Sequence, residues 1–541
     1  MVTWRGRVAF AVALVGTAVK LLLVPSYRST DFEVHRNWLA VTHSLPRTRW
    51  YWDATSEWTL DYPPLFALFE WCLSQAAPLF DARMLEVDNL RYASEGTVLF
   101  QRLTVIVTDG VLLAGAWALC AALWPRGRGD TAASAVAVAL ACLNCGLLLV
   151  DHVHFQYNGF LLGILLLSLA ALTAGRDLLG GVIFTILLML KHIFVYAAPF
   201  YFVYLLRHYC FPVGAAQARA FAMYRLVALA AACVAVVAAV LAPFVWPHLQ
   251  LHGMSTSGAA ALQGELKQLL SRLFPWGRGL VHAYWAPNVW ALYVFADTVL
   301  AKAGGVLGFS VVDGGGVSRG LVQHAQMGVL PTIVPAHTFT LWLITSLPVL
   351  RRVWIDPQPR RVCVGAACCM FSAFMVLWHV HEKAILMVTL PFGFAALAGA
   401  GTDAEAQLYW LTATIGHTSL VPLLFRSTEV PVTLLFVLIF AIGSFLALRR
   451  VRGPAFASFL SPSAAQLPIS LAQFAVRSYL LVLAAAVTFQ VLIHPALFCE
   501  RGEASAAEST CKFEFLPLMV LSVVCASGLV VCWVLLLSAL S

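Results

Sequence analysis

Apolar runs long enough to cross a bilayer recur along the whole chain. A transmembrane helix needs about 20 mostly apolar residues, and the first such run is Val8–Pro25. Thirteen more runs begin near Thr104, Ala132, Phe160, Leu178, Ile193, Val227, Leu330, Val362, Ala384, Leu408, Val432, Leu480 and Phe515. The runs at Leu178 and Ile193 are short and separated only by Lys191-His192, which predicts a tight hairpin or a broken helix. The pattern predicts an all-α, polytopic membrane protein with about fourteen transmembrane helices, in which residues 1–541 form one membrane-embedded unit.

Basic residues between the apolar runs predict the orientation of the chain, because cytoplasmic loops are enriched in Lys and Arg. With a cytoplasmic N-terminus, five short loops that fall on the cytoplasmic side are all basic, and they contain Arg126/Arg128, Arg176, Arg207 to Arg225, Arg351 to Arg361, and Arg449 to Arg452. This pattern holds only if the short stretch Val289–Leu300 does not span, so we expect a re-entrant or interfacial helix there. Both termini are then cytoplasmic. Two large loops, residues 26–100 and 247–328, lie on the opposite side.

Composition supports this reading. The chain is 61% hydrophobic and 11% charged, with a mean hydropathy of +0.84, whereas soluble chains are about 25% charged. The net charge of +8 comes from the short basic clusters between apolar runs, so it does not indicate nucleic-acid binding. Cys499 and Cys511 bracket a polar loop. If that loop faces an oxidising compartment, either a disulfide or two free thiols is compatible with the sequence.

The first large loop contains two acidic motifs. In S-T-D-F-E-V-H-R-N-W, Thr30 and Glu33 have the spacing of a capping box, which predicts a helix with Asp31 in its first turn. Asp31 is then either a charge that stabilises the helix start or a catalytic carboxylate. In W-T-L-D-Y-P-P, two prolines fix the backbone after Asp61 and Tyr62. Asp61 is therefore expected on a rigid turn.

Polar side chains also collect at the ends of later apolar runs. D-H-V-H-F-Q-Y-N-G supplies His154, Gln156 and Asn158 as hydrogen-bonding groups for a polar substrate, with a metal pair of His152 and His154 as the alternative. Lys191 and His192 suit either substrate binding or contact with the membrane interface. Asp109, inside the second apolar run, is either a structural partner or a substrate ligand.

Two further motifs are basic. The second loop carries S-R-L-F-P-W-G-R-G-L-V-H-A-Y-W-A-P-N, in which Arg272 and Arg278 are either interfacial anchors or anion ligands. W-H-V-H-E-K supplies His381 and Lys383, with His379, as donors for an anion. Two His and a Glu also suggest zinc, but their spacing is not that of a zinc-protease helix. Basic groups beside carboxylates at one membrane surface fit group transfer from a lipid phosphate, and the sequence has no nucleotide-binding fingerprint.

Taken together, these motifs resemble the endoplasmic-reticulum dolichyl-phosphate-glucose glucosyltransferases of N-glycan assembly, a family with the membrane-embedded GT-C fold. The resemblance covers nearly the whole chain. The string V-H-A-Y-W-A-P-N, residues 281–288, is similar to the branch that acts on a monoglucosylated acceptor. The first glucosyltransferase of the pathway has an acidic string at this point. That enzyme and a lipid-phosphate mannosyltransferase are the nearest alternative functions. A lipid or sugar transporter and a non-catalytic assembly subunit are more distant alternatives.

The resemblance implies an inverting transfer in a single displacement. It assigns Asp31 as the general base. Asp61 is the second candidate for the base, but its expected function, with Tyr62, is to position the acceptor. His381, Lys383, Lys191, His192, Arg272 and Arg278 are expected to hold the donor phosphate. The implied partners are dolichyl phosphate glucose, a dolichyl-pyrophosphate-linked oligosaccharide and the lipid bilayer. We expect no cofactor, no metal and a monomer, in the endoplasmic-reticulum membrane with the site facing the lumen.

Overall fold

The computed structural model describes residues 4–125, 131–211, 221–252, 256–274, 277–307, 327–398, 401–424, 428–460, 470–499 and 511–540. The regular elements within these ranges are helices, supplemented by isolated β-bridges. The predicted all-helical architecture is therefore confirmed. The basic pair Arg126/Arg128 and part of the 247–328 loop lie outside the described residues. The chain divides into two compact units.

The first unit consists of Met1–Trp276 and Val353–Cys363. Its α-helices are α1 (Trp4–Leu22), α2 (Thr30–Ser44), α3 (Pro64–Ser74), α4 (Glu95–Leu123), α5 (Thr131–Cys142), α6 (Cys145–Leu147), α7 (Asn158–Thr173), α8 (Asp177–Leu190), α9 (Ala198–Tyr204), α10 (Met223–His252) and α11 (Thr256–Leu273). Its 3-10 helices are Arg47–Arg49, Ala77–Leu79, Ala82–Leu85, His192–Ala197 and Pro359–Arg361, and its π-helical turns are Leu148–Phe155 and Leu205–Tyr209.

The second unit consists of Gly277–Arg352 and Val364–Ser541. Its α-helices are α12 (Val289–Leu307), α13 (Pro335–Ile355), α14 (Val362–Val376), α15 (Ile385–Leu397), α16 (Asp403–Thr418), α17 (Val430–Arg452), α18 (Leu471–Thr488), α19 (His494–Phe498) and α20 (Leu516–Leu540). The end of α13 and the start of α14 belong to the first unit. Its 3-10 helices are Glu382–Ala384, Val421–Leu423 and Pro454–Phe459, and Phe489–Ile493 is π-helical. A disulfide joins Cys499 to Cys511, which decides between the two alternatives for these cysteines.

Within the described residues, seven helical segments are long and apolar enough to cross a membrane: Glu95–Leu123, Thr131–Phe155, Met223–Pro247, Pro359–Val376, Val430–Arg452, Leu471–Phe498 and Leu516–Ala539. In the Met223–Pro247 segment, only 6% of the most apolar window is buried within the protein, so most of its residues are at least partly exposed. Exposed apolar surface of this extent is typical of contact with lipid. Each of the fourteen apolar runs contains a helix, but several, including α7 and α8, are shorter than a full span.

The short runs on either side of Lys191 form a hairpin. Helix α8 ends at Leu190, and the chain returns through His192–Ala197 and α9. Near the open end of the hairpin, His208 Nδ1 lies 2.8 Å from Asp177 Oδ2. Between these points the rings of Phe184 and Tyr201 stack with their centroids 3.7 Å apart. Of the two predicted arrangements, the hairpin is therefore the one that the structure contains.

Close packing of α4 on α7 positions the polar end of α7. A Cβ atom built on Gly163 of α7 would lie 2.5 Å from the backbone nitrogen of Leu112 in α4. The two backbones therefore approach each other at a position where only glycine fits, as in many helix pairs within membranes. This contact holds the start of α7, Asn158-Gly159, beside Asp109 of α4.

We predict that Gly163→Ala lowers the thermal stability of the detergent-solubilised protein by several degrees, because the new methyl group forces α4 and α7 apart. Gly110→Ala is the matched control, since a Cβ on Gly110 in α4 would have no atom within 4 Å other than those of its own helical turns. Alanine is favoured over glycine in a helix by about 1 kcal/mol, so the control is expected to be neutral or stabilising. Heating followed by fluorescence-detected size exclusion measures both, and equal melting temperatures would contradict the packing argument.

Candidate active site

The first motif begins α2, but not with the predicted cap. Ser29 is the N-cap, and its hydroxyl oxygen accepts a hydrogen bond of 3.1 Å from the backbone N–H of Asp31. Glu33 instead binds Arg36 through two hydrogen bonds of 2.9 and 2.7 Å. The expected Thr30–Glu33 capping box is therefore wrong, because the guanidinium of Arg36 engages the Glu33 carboxylate. The placement of Asp31 in the first helical turn is confirmed.

Two side chains from a distant part of the sequence hold the Asp31 carboxylate. Gln156 Nε2 donates to Asp31 Oδ2 at 2.6 Å, and His154 Nε2 lies 3.2 Å from the same oxygen. The Asp31 side chain is 24% exposed. The carboxylate is thus fixed by its neighbours while it stays accessible to a substrate.

A π-helical turn, Leu148–Phe155, directs the polar residues of this second segment to different partners. It ends at Phe155, whose φ of 94° is in the left-handed region that side chains other than glycine rarely adopt. His152 Nε2 contacts Asp109 Oδ2 at 2.8 Å, and Lys20 Nζ contacts the same oxygen at 2.5 Å. Asp109 therefore has structural partners. His152 and His154 contact different carboxylates, so the alternative in which they form a metal pair has no support in this geometry.

The motif ends in a ladder of hydrogen bonds at the start of α7. Asn158 Nδ2 donates to Asp151 Oδ1 and to Gln156 Oε1, each at 2.8 Å. The backbone N–H of Gly159 donates to Asp151 Oδ2 at 2.6 Å. A Cβ at Gly159 would lie 2.1 Å from Asp109 Oδ1, so a larger residue does not fit there. The sequence predicted Gln156 and Asn158 as substrate ligands. In the structure their amides bind protein groups, and substrate binding by them stays a prediction.

Tyr62 and Lys191 are beside this ladder. Lys191 Nζ lies 3.2 Å from Asn158 Oδ1 and 4.9 Å from the centroid of the Tyr62 ring, a cation–π distance. Burial, followed by the negative charge of Asp61, raises the pKa of the Tyr62 phenol well above its usual value. The phenol therefore stays protonated at neutral pH and is a potential donor to a substrate. Asp61 itself is half-buried.

A buried pair that sequence reasoning missed joins α2 to α3. His35 Nδ1 lies 2.6 Å from Glu70 Oε1, and Glu70 is fully buried. Burial raises the pKa of Glu70 despite the opposing hydrogen bond with His35. The His35 ring also contacts the rings of Trp38 and Tyr157, with centroids 5.0 and 5.1 Å away. An acidic residue in the otherwise apolar α3 was the available signal.

Arg272 lies at the end of α11 and contacts the first loop. Its guanidinium donates to Tyr51 O at 3.1 Å, Thr59 Oγ1 at 2.8 Å and Asp53 O at 3.4 Å. In the same unit, the ring of His192 contacts that of Phe274, with centroids 5.3 Å apart. These contacts give Arg272 a structural function. Donor-phosphate binding by Arg272 and His192 stays a prediction.

In the second unit, the two basic motifs pair with each other. Val281 and Val380 form a parallel bridge, and Trp285 and His381 an antiparallel one. The backbone N–H of His379 donates to Leu280 O at 3.0 Å. As a result, His282, His379 and His381 each place one ring nitrogen within 4.8 Å of the other two. A cluster of this kind can bind a metal ion or an anion.

Burial sets the charges in this histidine cluster. It lowers the pKa of His379 to about 4 and that of His381 well below its usual value, with a further contribution from the charge of His282. Burial raises the pKa of Glu382, but the contact with His282 at 3.4 Å and the charges of His282 and Lys383 together leave that pKa below its usual value. His379 and His381 are therefore neutral hydrogen-bonding groups at pH 7. Arg278 and Lys383 are the nearby cations whose charges contribute to the shift at His381.

Comparison with known proteins agrees with the sequence motifs. The model of the ALG6, ALG8 glycosyltransferase family matches residues 16–536. This chain belongs to that family.

Members of the family from distant organisms match this glycosyltransferase along its length. A Mus musculus protein named dolichyl pyrophosphate Glc1Man9GlcNAc2 alpha-1,3-glucosyltransferase is 41% identical over 537 residues, 97% of this chain and 94% of the mouse protein. The Arabidopsis thaliana protein of that name is 41% identical, covering 97% of this chain and 96% of its own length. A probable enzyme of that name from Drosophila melanogaster is 47% identical over 415 residues, 76% of this chain and 75% of its own.

The structure brings many of the predicted site residues of this glycosyltransferase into two groups. In the first unit, Asp31, Tyr62, His154, Gln156, Asn158 and Lys191 are linked by direct contacts. In the second unit, His381 lies in a cluster with His282 and His379, near Arg278 and Lys383. The catalytic and binding functions of all these residues are still predictions.

We predict that Glu70→Ala destabilises the folded protein, because it leaves the buried His35 ring nitrogen without its carboxylate. The loss of such a partner costs about 1–3 kcal/mol. Glu70→Gln retains an acceptor and is expected to be milder. Glu57→Ala, which removes an exposed carboxylate from the same loop, is the control and is expected to melt with the wild type. Thermal melting of the purified variants tests this order, and a Glu70→Ala variant as stable as the control would refute it.

Proposed function

We propose that this glycosyltransferase transfers glucose from dolichyl phosphate glucose to the monoglucosylated oligomannose dolichyl-pyrophosphate-linked oligosaccharide. The product is an alpha-1,3 linkage formed with inversion. The observation that carries the proposal is the accessible Asp31 carboxylate, held by Gln156 and His154 in the first turn of α2. The relatives named for Glc1Man9GlcNAc2 alpha-1,3-glucosyltransferase activity, which match at about two-fifths identity over nearly the whole chain, support this acceptor.

The mechanism is a single displacement. Inversion requires one general base, which takes the proton of the acceptor 3-hydroxyl as its oxygen attacks the anomeric carbon. Asp31 is that base, and Asp61 with Tyr62 positions the acceptor. A leaving phosphate needs no general acid, in contrast to the leaving alcohol of a glycosidase. It needs positive charge and hydrogen-bond donors to stabilise the charge that develops on it.

The donor phosphate is bound by basic residues. The sequence motifs supply alternative candidates for this function: His381, Lys383 and Arg278 in the second unit, and Lys191, His192 and Arg272 in the first. A single phosphate needs less charge compensation than a nucleotide diphosphate, so the reaction requires no metal and no other cofactor. The three histidines of the cluster then serve as phosphate ligands, although their arrangement also suits a metal ion.

The enzyme works as a monomer with the GT-C fold and about fourteen transmembrane helices in the endoplasmic-reticulum membrane. Residues 26–100 and 247–328 form two lumenal loops, of which the first carries the catalytic carboxylate. The disulfide between Cys499 and Cys511 supports this orientation, because disulfides persist on the oxidising side of the membrane. The segment between these cysteines follows α19 and precedes α20, and the predicted topology assigns that position to the lumen.

The acceptor specificity is tested with purified protein, dolichyl phosphate glucose and lipid-linked acceptors that carry no, one or two glucoses. We expect product only from the monoglucosylated acceptor. Product from the unglucosylated acceptor would instead identify the first glucosyltransferase of the pathway. Transfer only from dolichyl phosphate mannose would identify a mannosyltransferase.

The base is tested with Asp31→Asn, which we expect to abolish transfer while binding of the donor persists, because the amide cannot accept the acceptor proton. Asp88→Asn is the matched control, since Asp88 is an exposed carboxylate of the same loop, and it is expected to retain full activity. Substantial transfer by Asp31→Asn would overturn the assignment and point to Asp61.

Exhaustive chelation tests the absence of a metal. We expect transfer to continue undiminished in excess chelator, with no stoichiometric metal found by elemental analysis of the purified protein. If activity is lost and a divalent ion restores it, the histidine cluster is a metal site and the metal-free mechanism is wrong.

A further inference from the structure

Asp151 is a fully buried carboxylate to which the mechanism above gives no function. It lies in the π-helical turn, and both of its oxygens accept hydrogen bonds, Oδ1 from Asn158 Nδ2 at 2.8 Å and Oδ2 from the Gly159 N–H at 2.6 Å. From Asp151 an unbroken series of side-chain hydrogen bonds runs through Asn158 and Gln156 to Asp31. The series passes from the protein interior to the accessible carboxylate.

Each amide in this series has one allowed orientation. The Asn158 amide nitrogen faces two acceptors, Asp151 Oδ1 and Gln156 Oε1, while its oxygen faces the ammonium group of Lys191 at 3.2 Å. Reversal of this amide would place its oxygen against a carboxylate and its NH2 against a cation. An amide nitrogen can only donate and a carboxylate oxygen accepts, so Asp151 and Lys191 together fix Asn158.

The orientation of Asn158 in turn fixes Gln156. With the Asn158 NH2 directed at Gln156 Oε1, the Gln156 NH2 group must point to Asp31 Oδ2, where it lies at 2.6 Å. A reversed Gln156 amide would place its NH2 group against the NH2 group of Asn158 and its oxygen against the Asp31 carboxylate. Asp151, acting through Asn158, therefore makes Gln156 present its NH2 group to Asp31.

We propose that Asp151 is a positioning residue, which acts through Asn158 and Gln156 to hold the carboxylate of the general base in its reactive orientation. This inference rests on the proposed function, because it assumes that Asp31 is the base. Gln156 and Asn158, which the sequence assigned to substrate binding, then act mainly on Asp31. A misplaced catalytic group of this kind costs roughly 10- to 100-fold in rate.

The test is a double-mutant cycle with Asp151→Asn and Gln156→Leu, measured as kcat and KM for donor and acceptor. Each single variant is expected to lower kcat about 10- to 100-fold with little change in either KM. The double variant is expected to be no slower than the slower single variant, because the series is already interrupted. Independent, multiplicative losses in kcat would show that Asp151 does not act through Gln156 and would overturn the proposal. A rise in acceptor KM with unchanged kcat would also overturn it, since that is the signature of substrate contact.

Asp177→Asn is the matched control. Asp177 is also a buried carboxylate of the first unit, and it binds His208 rather than the series that leads to Asp31. We expect it to retain kcat per folded molecule and to show no coupling with Gln156→Leu. If Asp151→Asn does not fold, Asn158→Ala replaces it in the same cycle and carries the same expectations.

Asp31→Asn in the same assay separates the two hypotheses. If it is inactive while the cycle is multiplicative, the positioning proposal fails and the assignment of the base stands. If it retains transfer, the assignment of the base fails, and the positioning proposal fails with it.

Discussion

The hydrogen bonds between the start of α2 and the end of the π-helical turn determine the geometry of the candidate site. The backbone carbonyl of His154 accepts from both the N–H and the hydroxyl of Ser29, at 3.1 and 2.5 Å. These bonds join two segments that are 125 residues apart in the sequence. They lie beside the contacts of the Asp31 carboxylate with Gln156 and His154, and they anchor the first turn of α2 to the same segment. The strained Phe155 ends the turn at this junction, as is common where backbone geometry serves a site.

A comparable pairing of distant segments organises the second unit. Short bridges between the segments around Val281 and Val380 bring one histidine from the first motif and two from the second into a single cluster. The segments are irregular, so neither could hold the imidazoles alone. In both units, most of the candidate site residues lie on loops, on helix ends or on interrupted helices.

The sequence predicted the elements better than their junctions. Hydropathy found the helices, and the Ser29–Trp38 motif placed Asp31 in a first turn, because both signals are local. It could not identify Ser29 as the cap, since that choice depends on His154 and on the pairing of Glu33 with Arg36. The sequence also left two alternatives open at Lys191. The hairpin is closed by a tertiary contact between Asp177 and His208, which a local pattern does not reveal. The π-helical turn left no signature in the apolar pattern. The candidate residues themselves came from motifs shared with a family, and only the structure connected Asp151 to Asp31.

The most direct test of this account is an experimental structure of the full-length Asp31→Asn variant with dolichyl phosphate glucose and the monoglucosylated lipid-linked acceptor bound. The account predicts that the acceptor 3-hydroxyl lies within about 3 Å of the side chain at position 31, on the face of the anomeric carbon opposite the phosphate. It also predicts that Gln156 still contacts that side chain. An acceptor hydroxyl held instead by Asp61, with residue 31 remote from the anomeric carbon, would contradict the central claim.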